Sequence, residues 1–75
     1  MSEDGEALLA RGERERRKLR IARLEADLAY FQARLELLGE PRSANQEAQR
    51  RVFQLLCDAL GARLAEERRR LSEAH

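Results

Sequence analysis

The stretch LLGEPRSANQEAQRR, residues 37–51, ends one helical pattern and begins another. Gly39 stands where a left-handed residue would close a helix, and Pro41 cannot continue the helical hydrogen-bond ladder. Ser43 and Gln46 then have the spacing of a capping box, with Ser43 as the N-cap. The sequence therefore predicts a tight turn between two helices.

The predicted fold class is all-α, an antiparallel hairpin of two long helices, because a short connection favours antiparallel neighbours. We expect helix 1 at about residues 13–38, the turn at 39–43 and helix 2 at about 44–71, all within a helical hairpin spanning 12–75. Residues 1–11, which include Glu3, Asp4 and Glu6, are expected to form a flexible acidic N-terminal segment.

Helix 1 carries two apolar seams. The first has the 3,4 spacing of a coiled-coil heptad and is predicted to form the hairpin core: Ile21, Leu24, Leu28, Phe31, Leu35 and Leu38. The second is rich in alanine and is predicted to form an oligomer interface: Leu19, Ala22, Ala26, Ala29, Tyr30, Ala33 and Leu37. A helix in an isolated hairpin needs only one such seam.

Helix 2 also carries two stripes. One consists of Ala48, Val52, Leu55, Ala59 and Ala62, with Leu56 beside it; the other consists of Phe53, Cys57, Leu60 and Leu64. In a hairpin closing at residues 39–43, opposed positions have numbers that add up to about 83. This register places Val52, Leu55, Leu56 and Ala59 in the hairpin core. The oligomer interface then receives Phe53, Cys57, Leu60 and Leu64.

The second stripes predict self-association. Burying one Leu or Phe side chain contributes about 1.5–3 kcal/mol, and a lone hairpin leaves half of these side chains in water. Two hairpins packed as an antiparallel four-helix bundle would bury both seams, so we expect a homodimer. A different protein that covers the same surface is the alternative.

Few residues are suited to chemistry. The single histidine is the last residue, His75, and the single cysteine, Cys57, has no histidine near it in sequence. There is no CxxC, HxxxH or EF-hand spacing and no glycine-rich phosphate loop. We therefore expect no enzyme activity, no metal, no cofactor and no small-molecule substrate.

The open end of the hairpin is basic. RGERERRKLR (11–20) has six positive and two negative charges, and RLAEERRRLS (63–72) has four and two. Candidate polyanion contacts are Arg14, Arg17, Lys18, Arg68, Arg69 and Arg70. In shape, paired hairpins resemble plasmid copy-number control proteins, whose four-helix bundles grip paired RNA loops. The basic open end makes a nucleic-acid-binding regulator the second hypothesis, although no aromatic residue is interleaved for base stacking.

The first hypothesis is a non-catalytic protein–protein interaction module: an adaptor, a regulator or a small chaperone. The chain has neither a signal-peptide pattern nor the roughly 20 apolar residues of a membrane span, and a lone thiol suits a reducing compartment. These features predict a cytoplasmic protein without membrane contact. Basic residues that are nearly all Arg are typical of a GC-rich bacterial genome.

Overall fold

The computed structural model describes residues 2–73 and the side chains of residues 4–73, so His75 lies outside the described residues. It consists of helix α1 (Ser2–Leu38) and helix α2 (Ala44–Glu73). The two helices pack along their length into an antiparallel hairpin measuring 64 × 15 × 14 Å. The predicted all-α hairpin is confirmed.

Gly39 closes α1 in the left-handed conformation, with a φ of 59°. Its N–H donates to the carbonyl oxygen of Glu36 at 3.3 Å. Its own carbonyl oxygen accepts a 2.6 Å hydrogen bond from the Arg50 guanidinium. Arg50 thus ties the end of α1 to the second turn of α2.

Ser43 caps α2. The Gln46 N–H donates to Ser43 Oγ at 3.2 Å, and the Glu47 N–H donates to the Ser43 carbonyl at 3.0 Å. The Gln46 side chain accepts a 2.7 Å bond from the Arg42 N–H, whereas a standard capping box would use the N–H of the N-cap residue itself. Both hydrogen bonds of a capping box are therefore present, but the bond to the Gln46 side chain comes from Arg42, one residue before the N-cap.

α1 begins at Ser2, well before the predicted start near residue 13, so the segment expected to be flexible is helical from Ser2 onward. A glycine inside a helix, here Gly12, costs only about 1 kcal/mol. The Glu, Ala and Leu residues around it are strong helix formers. Acidic side chains such as Asp4 and Glu6 also interact favourably with the helix dipole near an N-terminus.

The inner face of α1, where it packs against α2, is the heptad series. All six members are buried or half-buried: Ile21, Leu24, Leu28, Phe31, Leu35 and Leu38. Six buried or half-buried positions of α2 repeat with the same period from Phe53 onward: Phe53, Cys57, Leu60, Leu64, Glu67 and Leu71; Gly61 and Glu66 beside them are half-buried too. The deepest apolar side chains described are Ile21 and Leu64, at 8% and 5% exposed, so the core is thin.

The two faces of α2 are the reverse of the predicted ones. Of the α2 residues predicted in the hairpin core, all are exposed: Val52, Leu55, Leu56 and Ala59. Those predicted at the oligomer interface are buried or half-buried within the single hairpin instead: Phe53, Cys57, Leu60 and Leu64.

The cause of this correction is a small error in register. The rings of Phe31 and Phe53 lie 5.8 Å apart between centroids, so Phe31 opposes Phe53 instead of Val52. One residue along an α-helix is a rotation of about 100°, which exchanges one stripe for the other. The stripe that packs against α1 is also the bulkier and longer of the two. It continues to Leu71, whereas the other stripe ends in alanine.

Candidate interaction surfaces

The outer face of α1 is the alanine-rich seam, and it lies opposite the inner face. Leu19 is 69% exposed and Leu37 80% exposed, and the remaining members are exposed too: Ala22, Ala26, Ala29, Tyr30 and Ala33. Every α1 residue of the predicted oligomer interface is thus exposed in the single hairpin.

Leu8 and Leu9 extend this outer face toward the N-terminus. Because α1 is continuous, Leu8 lies two heptads before Ala22 and Leu9 lies three heptads before Tyr30, so both project on the same side. Both are exposed. Heptad spacing alone assigns them to this face once the N-terminal segment is helical.

The outer face of α2 consists of the stripe exposed by the corrected register: Ala48, Val52, Leu55, Ala59 and Ala62. Leu56 lies at its edge and is less exposed than Leu55. Two exposed charged residues, Arg51 and Asp58, share this side of the helix. The apolar area is therefore shorter than that of α1 and is interrupted.

Toward the C-terminus, the same side of α2 carries an ion-pair network. The guanidinium of Arg69 contacts the carboxylates of Glu66 and Glu73, and Arg70 contacts Glu66 at 3.0 Å. Hydrogen bonds from Arg69 and then Arg70 lower the pKa of Glu66. Hydrogen bonds to Glu66 and Glu73 raise the pKa of Arg69. This end of the face is charged and internally paired.

One ion pair is set into the contact between the helices. Arg17 donates to Glu67 at 3.0 Å, with side chains 23% and 11% exposed. The Arg20 side chain approaches the same carboxylate oxygen at 3.7 Å. Glu67 continues the stripe that begins at Phe53, so it occupies a position where an apolar residue would be expected.

Most of the predicted polyanion contacts are already paired with carboxylates. Besides Arg17, Lys18 meets Glu15 at 3.3 Å and Arg68 meets Glu25 at 3.6 Å, and Arg69 and Arg70 belong to the network described above. Within the part of the chain that the structure describes, Arg14 is the one member of the set without an ion pair. A polyanion would have to compete with these carboxylates.

Cys57 is a free thiol, half-buried on the inner face. Among the described residues, no three His, Cys, Asp or Glu side chains come together as metal ligands.

A surface hollow of about 470 Å³ beside the turn is lined by Pro41, Glu47, Ala48, Arg50, Arg51 and Gln54. The absence of catalysis, metal and cofactor stays a prediction. Within residues 2–73, neither helix is apolar over the length needed to span a bilayer.

Comparison of the chain with family models, with curated proteins and with solved structures gives no significant match. The surfaces described above therefore carry the functional argument.

Proposed function

We propose that the protein is a non-catalytic protein–protein interaction module that works as a self-associated helical hairpin. The observation that carries this proposal is the distribution of apolar side chains. Eight large ones are between 38% and 80% exposed, whereas two residues form the buried apolar core of the described chain. The hairpin therefore leaves a large apolar surface exposed.

Association is energetically favourable on this surface. Each large apolar side chain that leaves water contributes about 1.5–3 kcal/mol, and domains this small commonly need a partner, a metal or disulfides for stability. Pairing two hairpins gives a four-helix assembly that covers this surface. A different protein with an apolar helix would cover the same surface, which is the role of an adaptor, regulator or small chaperone.

Binding of nucleic acid at the basic open end is the weaker proposal. The contacts of Arg17, Arg68, Arg69 and Arg70 with carboxylates reduce the charge available to phosphates. Such binding would weaken steeply with salt because phosphate contacts release counterions.

Light scattering behind a sizing column, with absorbance read at the nucleic acid and protein maxima, tests the proposal. We expect a mass of two chains over a range of concentrations and no nucleic acid signal. A mass of one chain at every concentration would contradict self-association. Co-elution with nucleic acid that is lost at high salt would favour the second candidate.

A further inference from the structure

We infer that a second copy of the chain docks on the outer face of α1 in antiparallel orientation, placing four helices in a row in the order α2, α1, α1 of the partner, α2 of the partner. This inference rests on the proposed self-association and specifies its geometry. It differs from a closed four-helix bundle, in which each helix touches two neighbours at roughly a right angle around a common core.

The position of the second seam favours a row. The outer face of α1 lies opposite its inner face, so a helix that covers it must lie on the far side of α1 from α2. A closed bundle would instead need an apolar flank between the two faces. The flanks of α1 are polar and exposed: Lys18, Arg20, Glu25, Asp27, Gln32 and Arg34.

The length of the apolar surface favours α1 over α2 as the contact. From Leu8 to Leu37 the outer face of α1 extends about 43 Å, at a rise of 1.5 Å per residue. The outer face of α2 extends about 21 Å, from Ala48 to Ala62, by the same rise. Beyond Ala62 the Glu66–Arg69–Glu73 network occupies the surface. The alanines of α1 also allow close approach of a second helix.

Charge complementarity sets the orientation. The N-terminal half of the outer face of α1 carries Arg16 and Arg23 against Glu15, a net positive charge, and the C-terminal end carries Glu36, all of them exposed. In a parallel, in-register pair, each of these side chains would meet its own copy, and juxtaposed like charges are unfavourable. In an antiparallel pair, the basic half of one helix lies along the acidic end of the other.

Cysteine cross-linking tests the geometry in the full chain. In a Cys57→Ser background, Leu8→Cys and Leu37→Cys each place one thiol at one end of the outer face, about 43 Å apart along α1 at 1.5 Å per residue. Leu55→Cys is the matched control on the outer face of α2. Pairs of variants are mixed, unfolded and refolded together, and treated with a short bismaleimide. Circular dichroism and light scattering are recorded for each variant first.

We expect dimers from the mixture of Leu8→Cys with Leu37→Cys, at least tenfold more cross-linked product than from either variant alone. Cross-linking of Leu8→Cys with itself would show a parallel pair and overturn the inference. Cross-linking of Leu55→Cys with either α1 variant, or with itself, would show that α2 forms the contact and would also overturn it. A one-chain mass before cross-linking contradicts the proposed function itself, so the two failures are distinguishable.

Discussion

The ion pair between Arg17 and Glu67 is the most specific side-chain contact in the hairpin. Both residues stand at heptad positions of their helices, and this alignment of the helices brings their charges together. Sliding α2 by one heptad would bring an apolar side chain opposite each charge. A polar pair at such a position selects one register at some cost in stability.

We predict that Glu67→Ala lowers the free energy of unfolding by about 2 kcal/mol, because it leaves Arg17 without its partner in a partly buried position. Glu25→Ala is the matched control, since Glu25 forms a cross-helix pair with Arg68 that is exposed on both sides. We expect that control to change stability by less than about 1 kcal/mol. Urea denaturation at one fixed protein concentration measures both, and equal losses would contradict the account.

Glu66 gives the C-terminal part of α2 a dependence on pH. Its pKa is lowered by hydrogen bonds from Arg69 and Arg70, so the folded state favours the charged carboxylate. This contribution is present above the unfolded pKa, near 4.5, and is lost as the pH falls through the lower folded value.

Glu66→Gln should therefore reduce the loss of thermal stability when the pH falls below the pKa of Glu66 in the unfolded chain. The melting midpoint, recorded by circular dichroism at several pH values, measures this loss. Asp58→Asn is the control, since Asp58 makes no ion pair among the described residues. If the two variants had the same acid dependence, the network around Glu66 would not be the cause.

At the scale of single residues, the sequence predicted the inner face of α1, because six large apolar residues at 3,4 spacing leave one way to pack. It did not predict Glu67 in the contact. A glutamate is normally exposed, and its burial depends on Arg17, which lies opposite it only in the correct register.

The turn is the element that determines the hairpin, and Gly39 is its critical residue. Its φ of 59° is open to glycine without strain, whereas other residues pay roughly 1–2 kcal/mol in the left-handed region. The Cβ of an alanine there would meet no atom within 4 Å, so backbone conformation alone would set the cost.

Gly39→Ala should destabilise the hairpin by about 1 kcal/mol, measured by thermal or urea unfolding. Gly61→Ala is the matched opposite: Gly61 lies inside α2 and an added Cβ meets nothing within 4 Å. This substitution should stabilise the protein by about 0.5–1 kcal/mol, because alanine is the better helix former. Changes of the same sign would contradict this view of the turn.

Sequence signals differed in reliability from element to element. Gly39, Pro41 and Ser43 act locally, so the turn was readable from its own residues. The face of α2 was not, because two apolar stripes competed and an error of one residue in register exchanges them. The predicted start of α1, near residue 13, was too late. Gly12 was expected to interrupt the helix, but the many helix formers around it outweigh its cost.

As a whole, the molecule is a rod with a thin core and a large exposed apolar surface. A hairpin 64 Å long and about 15 Å wide has little interior, and its two outer faces point in opposite directions. The sequence predicted the excess of apolar surface. It did not show that the second seams lie opposite the inner faces, because that conclusion requires the correct face of α2.

The central claim is that the outer face of α1 holds a second copy of the chain. The most direct test compares the solution mass of Ala29→Glu with that of Ala59→Glu by light scattering. Both residues are exposed alanines within helices, Ala29 on the outer face of α1 and Ala59 on that of α2. The account predicts one chain for Ala29→Glu and two chains for Ala59→Glu and the wild type. Two chains for Ala29→Glu, or one chain for the wild type, would contradict it.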